Sequence, residues 1–510
     1  MHPRKLVRDS IGYASSQFVM RAAMIVRTVM AARWLGPQAY GAWNALQLMM
    51  DYGALSPLGT QQGLDQRVPR AIVDGDPVRL AHVKRAGITN IVVLTLFFCG
   101  LAALYFGRST GKLMGFWGAR GMLVAMLIVI MINWANYHTG LLRSHGNIGA
   151  VSRWFFVQGV LGALVGLALI PWFQAWGLLW GWLAGTAVSF AWTRWDARHI
   201  APILPYTGPE NLDLLRVGFP LFFFLGSTLV MRSLDRLIIL KFLGTRELGY
   251  YSLAVTALTL LMYLPDSATY VLYPRFLQGY RAGADRPEAI RDHVGVALTV
   301  LSTLTPALGG LAFLAARDLL GAVLPNYLAG ATAVRVLCFG AAALTWSNLA
   351  SIVLMTLGRQ VWLIPAAIVF TAACGIADLV VLKRGLGISG VAWATLATYA
   401  VSGMTLLALA LAALGSGWMG TLRRMAGCAW ALIVALGLAV GLDRLLPWRD
   451  TTLEPLRLLR VVIEWLAFLI VYGLAVRPLV RGLGLRQVIA EFNLPFASML
   501  RRNDGGPGAP

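Results

Sequence analysis

The chain has 510 residues, of which 58% are hydrophobic and only 13% charged, and its mean hydropathy is +0.69. That much apolar surface cannot be hidden in one water-soluble core, which excludes an ordinary soluble enzyme or binding domain and requires lipid as solvent. The net charge of +21 would suggest nucleic acid in a soluble protein; here the basic residues gather in short loops between apolar stretches, where they orient the chain and attract anionic lipid.

Fourteen apolar stretches of spanning length follow one another, at about 9–34, 40–65, 87–107, 121–142, 155–173, 175–193, 217–242, 249–274, 294–316, 331–356, 361–382, 388–411, 425–443 and 459–479. The expected fold is therefore all-α and polytopic. The opening MHPRKLVRDS is followed by Arg21, Arg27 and Arg33 with no small-residue cleavage site, so it reads as the start of the first span and not as a cleaved leader. An excess of Lys and Arg on one side of the spans places both termini in the cytoplasm. Cys99, Cys338, Cys374 and Cys428 all fall inside apolar stretches without CxxC spacing, the pattern of packing residues.

Two parts of the chain repeat. WLGPQAYGAWNAL at 34–46 aligns without gaps on FLGTRELGYYSLA at 242–254, so Leu35, Gly36 and Gly41 fall on Leu243, Gly244 and Gly249. The offset of 208 residues contains six spans, hence both copies enter the membrane in the same direction, as in a parallel six-plus-six repeat. Each LG…G motif is expected to be a tight outer hairpin between the first two helices of its half, with glycine where the chain must turn sharply. The resulting organisation is an N-terminal six-helix bundle over 1–207, a second over 208–415, two additional helices over 416–482 and a cytoplasmic tail over 483–510.

The segments ARWLGPQAYGAW, LLRVGFPLFF at 214–223, SLDRLIILKFLGTRELGYYSLA at 233–254 and GLGISGVAWATLATYAV at 385–401 resemble the oligosaccharide flippase, or polysaccharide biosynthesis, family of the multidrug, oligosaccharidyl-lipid and polysaccharide exporter superfamily. The resemblance covers roughly 5–415 and is carried by the SLDR and LG…G motifs. It implies two six-helix bundles around a central cavity that opens alternately to each side. It also implies a lipid substrate, an undecaprenyl-pyrophosphate-linked oligosaccharide for O-antigen, exopolysaccharide or capsule, moved across a bacterial inner membrane. Polysaccharide polymerase and chain-length proteins are the partners expected with it. The lipid II flippase is the nearest rival within the superfamily, followed by a cation-coupled multidrug exporter.

Charges inside spans carry the residue-level argument, because a charge at bilayer depth costs several kcal/mol unless it meets protein, a partner or water. Arg27 lies about 12 Å of helical rise before Leu35, and Arg21 lies deeper. In the seventh span Arg232, Asp235 and Arg236 are spaced i, i+3, i+4, so all three are expected to share one helix face. Arg21, Arg27, Arg232 and Arg236 are candidates for a pyrophosphate-binding lining, since guanidinium binds phosphate oxygens bidentately and stays charged when dehydrated. Under the offset Asp235 matches Arg27, a candidate ion pair; an internal pair of Asp235 with Arg232 or Arg236 is the structural alternative. Asp51 and Asp266, the latter beside Pro265, are candidates either for coupling to a proton or sodium gradient or for neutralising a nearby arginine. Trp134, Tyr137, Trp346 and Asn348 are possible sugar contacts, with His138 beside them, although aromatics in spans more often pack or anchor. Glu464 lies outside the repeat and enters no site.

Enzyme chemistry finds little support. There is no GxxxxGK[ST], no HExxH, no GxSxG and no Cys/His set for zinc, and no cofactor or metal is expected. The triplet Asp74, Gly75, Asp76 has the spacing some glycosyltransferases use for a metal, but Pro77 follows it in a short loop, which reads as a turn or helix start. A polymerase or ligase of the same pathway would be expected to have a long outer loop, and the longest one here, 442–460, is modest.

Overall fold

The computed structural model describes residues 3–108, 112–202, 206–445 and 454–481, with side chains described for 23–105, 116–147, 149–202, 206–223, 225–445 and 460–481. These residues form α1 (Pro3–Gly53), α2 (Thr60–Val73), α3 (Pro77–Arg108), α4 (Lys112–Ser144), α5 (Ile148–Phe173), α6 (Ala175–Asp196), α7 (Pro209–Met231) and α8 (Leu234–Phe242). They continue as α9 (Thr245–Ala282), α10 (Arg291–Val323), α11 (Ala331–Cys338), α12 (Gly340–Thr356), α13 (Leu363–Lys383), α14 (Gly387–Ala413), α15 (Trp418–Leu445) and α16 (Glu454–Val480). No strand occurs among the described residues.

Eleven helical stretches among the described residues are long and apolar enough to cross a membrane. The two arms of α1, which carries its own charges, and α6, rich in Trp and Gly, bring the number of rods to the fourteen expected. The protein is thus an all-α, multi-pass membrane protein. By packing it divides into two compact units, Met1–Tyr250 and Tyr251–Pro510. This packing boundary falls after the second LG…G motif begins, whereas the repeat offset sets its boundary at 207/208; the two partitions describe different properties of the chain.

The LG glycines do turn the chain. Gly36 has φ +72° between the two arms of α1, with Pro37 opening the second arm, and its counterpart Gly244 has φ +98° between α8 and α9. Both lie in the region where a Cβ is strained, so the glycine follows from the sharp reversal at each copy. The Asp74–Asp76 triplet is a helix start: Gly75 is left-handed, Pro77 is the first residue of α3, and Asp76 Oδ1 accepts the Arg79 amide at 2.9 Å.

Three expected spans are interrupted. The span placed at 40–65 is the second arm of α1, a turn over 54–59 with Leu58 and Gly59 at positive φ, and then α2. The span placed at 217–242 is α7 and α8, parted at Arg232–Ser233. The span placed at 331–356 is α11 and α12, parted at Phe339. Hydropathy windows report apolarity and not backbone continuity, so such breaks pass unseen.

Within the first unit α5 and α6 pack backbone to backbone. A Cβ on Gly181 or Gly185 would meet the main chain at Gly162 or Gly166, the small-xxx-small pattern of close membrane helices. At one end, Leu64 and Val68 of α2, Tyr137 and Leu141 of α4 and Leu214 of α7 make an apolar core. In the second unit α12 and α14 share a core around Phe339, Trp346 and Tyr399, all nearly inaccessible.

Candidate substrate-binding site

The break between α7 and α8 places polar side chains in the interior of the first unit. Ser233 is fully buried; its Oγ donates to the Leu229 carbonyl at 2.7 Å, so the Tyr52 hydroxyl, 2.7 Å away on α1, must be the donor in the bond between them. Asp235, 2% exposed, stands in the first turn of α8 and its Oδ1 accepts the Arg236 amide at 2.7 Å. It thereby satisfies one amide of the first turn and complements the positive end of the helix dipole. Arg236 Nη2 donates to the Arg232 carbonyl at 3.4 Å, while its Nε is buried with no hydrogen-bond partner among the described residues. Asp51, one residue before Tyr52, lies within the electrostatic reach of Arg236. Asp51, Tyr52, Ser233, Asp235 and Arg236 therefore form one cluster.

This geometry changes two sequence-based expectations. Arg232, Asp235 and Arg236 do not share the face of one helix, because the chain breaks between the first and the other two. Nor does Arg27 pair with Asp235. It is 6% exposed and its guanidinium lies over two rings, Trp182 of α6 at 4.9 Å and Trp43 of the second α1 arm at 5.7 Å. Among the described residues no carboxylate pairs with Arg27, so aromatic faces hold the charge. Arg21 lies on α1, but its side chain falls outside the described ones.

The remaining candidates sit elsewhere. Asp266 of α9 accepts a 2.8 Å hydrogen bond from Asn348 Nδ2 of α12, inside the second unit; these two are partners of each other. Tyr137 is fully buried and donates to the Lys84 carbonyl at 3.0 Å; Trp346, 1% exposed, donates through Nε1 to Ser302 Oγ at 3.0 Å. In this conformation both are interior packing residues with their polar atoms satisfied. Trp134 is half-buried beside His138 and Phe190, and lines an apolar recess of about 190 Å³ with Thr95 and Ile130.

Two polar assemblies went unrecognised in the sequence. Asn133, 2% exposed, reaches the Gly53 carbonyl, Ser56 Oγ and Thr95 Oγ1, each at 3.0 Å, and so ties α3 and α4 to the turn after α1. In the second unit Arg335 pairs with Asp443, and Arg460 Nε meets Glu464 Oε1 at 2.7 Å, with all four side chains largely buried. Asp318 and Asp443 lie within the field of Glu464, so α10, α11, α15 and α16 share one ionic network. The i, i+4 spacing of Arg460 and Glu464 was the available sign of it.

A profile of the polysaccharide biosynthesis protein family matches residues 29–316. The chain belongs to that family. The match contains Asp51, the 232–236 break and Asp266, along with both LG…G motifs. No curated protein matches the sequence. Among solved structures, the lipid II flippase MurJ in an inward closed conformation superposes with a TM-score of 0.64 at 13% identity, covering 91% of this chain and 99% of that one. An inward-facing multidrug resistance MATE family transporter of the MOP superfamily gives 0.61 at 17% identity, with 80% and 95% covered. A MOP superfamily transporter from Pyrococcus furiosus gives 0.53 at 14% identity, with 80% and 96% covered. At such identities the likeness is one of fold: this polysaccharide biosynthesis protein has the polytopic architecture of MOP transporters.

Proposed function

We propose that this polysaccharide biosynthesis protein is a flippase. It carries a polyprenyl-pyrophosphate-linked oligosaccharide across the bacterial inner membrane by alternating access, with both termini cytoplasmic, and supplies O-antigen, exopolysaccharide or capsule assembly by a polymerase and its chain-length partners. The observation that carries the reading is the cluster at the α7–α8 break. Two arginines, Arg232 and Arg236, adjoin the N-terminus of a half-helix inside a membrane protein, an arrangement suited to an anionic group. Arg236 keeps a buried Nε–H unused, and a guanidinium fork matches phosphate oxygens. Asp51 lies within the electrostatic reach of Arg236, so a pyrophosphate bound there would share that charge with it. Arg21 and Arg27 remain candidates for the same lining at another point of the cycle, and Asp51 or Asp266 for coupling to a proton or sodium gradient.

A cell carrying Arg236→Ala, with the protein at normal membrane level, is expected to lose surface polysaccharide and to accumulate the lipid-linked intermediate on the cytoplasmic face, with partial recovery in Arg236→Lys. Unchanged polymer and intermediate would remove the cluster from the transport path. Lipid II is the second substrate reading, favoured by the 91% coverage in the superposition on MurJ, which extends past the twelve-helix repeat. It predicts that the intermediate accumulating in Arg236→Ala is lipid II, with arrested wall synthesis.

A further inference from the structure

The two LG…G segments touch each other. A Cβ placed on Gly41 would collide with the carbonyl oxygen of Thr245, and one placed on Gly249 would collide with the carbonyl oxygen of Pro37. Under the 208-residue offset Pro37 matches Thr245 and Gly41 matches Gly249. The two close approaches are therefore one contact made twice, as at an isologous interface between identical copies. Gly41 and Gly249 are both buried in helix and neither has a positive φ. Their lack of a side chain is set by proximity and not by backbone conformation. Each lies five residues beyond a glycine that does have positive φ, Gly36 and Gly244, so each contact sits next to a sharp turn of its own copy.

A second close approach, between α2 and α7, has a different character. A Cβ on Gly63 would meet the Leu214 carbonyl and one on Gly218 the Gly59 carbonyl, but here Arg67 Nη2 also pairs with Asp213 Oδ1 at 2.6 Å and Asn90 Nδ2 donates to the Asn211 carbonyl at 2.8 Å. Polar side chains fasten α2 and α3 to α7, whereas the Gly41–Gly249 contact is main chain against main chain.

We propose that the paired LG…G segments form a glycine latch: a reversible seal on their side of the membrane, closed in this conformation and opened during transport. Gly41 and Gly249 are the positions at which it closes. The proposal rests on the transporter reading above for its role, though not for its geometry. A side chain at either glycine holds the helices apart and leaves the protein open on that side. Because the contact is two-fold, a substitution at Gly41 and one at Gly249 have the same effect.

The test uses the full chain with its four cysteines replaced by alanine and Ala45→Cys as reporter. Ala45 is 2% exposed and stands one turn beyond Gly41 on the same helix face. A membrane-impermeant maleimide is added to sealed vesicles of each orientation. Gly41→Val and Gly249→Val should each raise the labelling rate at least fivefold from the LG…G side only. Gly100→Val, at a glycine with open space around it, should leave the rate unchanged. Gly41→Ala and Gly249→Ala serve where a valine variant does not elute as a folded species. Folded variants that label as slowly as the parent would overturn the latch. Faster labelling with loss of surface polysaccharide supports both latch and transport; faster labelling with export intact leaves the latch standing and counts against the transport reading.

Discussion

Replacing Arg27 by methionine separates a residue kept for stability from one kept for its charge. Burying a guanidinium costs several kcal/mol, and the two rings over it, at 4.9 and 5.7 Å, return about 2 kcal/mol each when desolvated. With no carboxylate paired to it among the described residues, the charge is at best balanced, and methionine fills similar volume at no electrostatic cost. Arg27→Met should therefore fold with stability unchanged or raised by about 1 kcal/mol. If the charge serves the substrate, transport falls at least tenfold, equivalent to about 1.4 kcal/mol of lost interaction. Thermal melting of the detergent-purified protein supplies the first quantity, and surface polysaccharide with the sided lipid-linked intermediate supplies the second. A variant that melts much lower and loses export in proportion would show that the Trp43–Arg27–Trp182 clamp is a structural brace, and the argument for a functional charge would fail.

Other outcomes are expected along the chain. Tyr137→Phe removes the buried hydrogen bond from the Tyr137 hydroxyl to the Lys84 carbonyl, which should cost about 1 kcal/mol in stability with no change in export. Asp51→Asn should abolish any dependence of transport on the proton or sodium gradient in proteoliposomes if Asp51 couples them; retained dependence would move the role to Asp266. Glu464→Ala breaks the buried 2.7 Å ion pair with Arg460 inside the second unit and should destabilise by about 3 kcal/mol, with much of the loss restored in the double variant Arg460→Leu/Glu464→Leu. Gly36→Ala and Gly244→Ala force a side chain onto positive φ and should each lower stability by about 1–2 kcal/mol, seen as lower melting temperatures.

The all-α membrane fold was legible because apolar length is a direct reading of lipid thickness. The repeat was legible because Gly36 and Gly244 meet the same backbone demand in each copy. What stayed hidden was backbone continuity: SLDR looks helical by composition, yet the chain breaks at Arg232–Ser233, so Arg232 closes one helix while Asp235 and Arg236 open the next. Partner choice was hidden too. Arg27 satisfies itself on tryptophans 16 and 155 residues away, and no local spacing announces that. Tyr137 and Trp346 illustrate the converse, since an aromatic in a span carries no mark telling a cavity wall from a packed interior. Glu464 was passed over as lying beyond the repeat, although it is among the most buried charges described.

The ionic network of the second unit also bears on how the protein is made. An α16 leaving the ribosome alone would present Arg460 and Glu464 to lipid, and α15 would bring Asp443 close to its C-terminal end; charges in a spanning helix oppose insertion, by about 2.5–3.5 kcal/mol at its centre and by less towards its ends. Arg335, the partner of Asp443, is by then already synthesised on α11. The last hairpin therefore has a docking place waiting for it, and its entry into the bilayer should depend on α10 and α11 having assembled first.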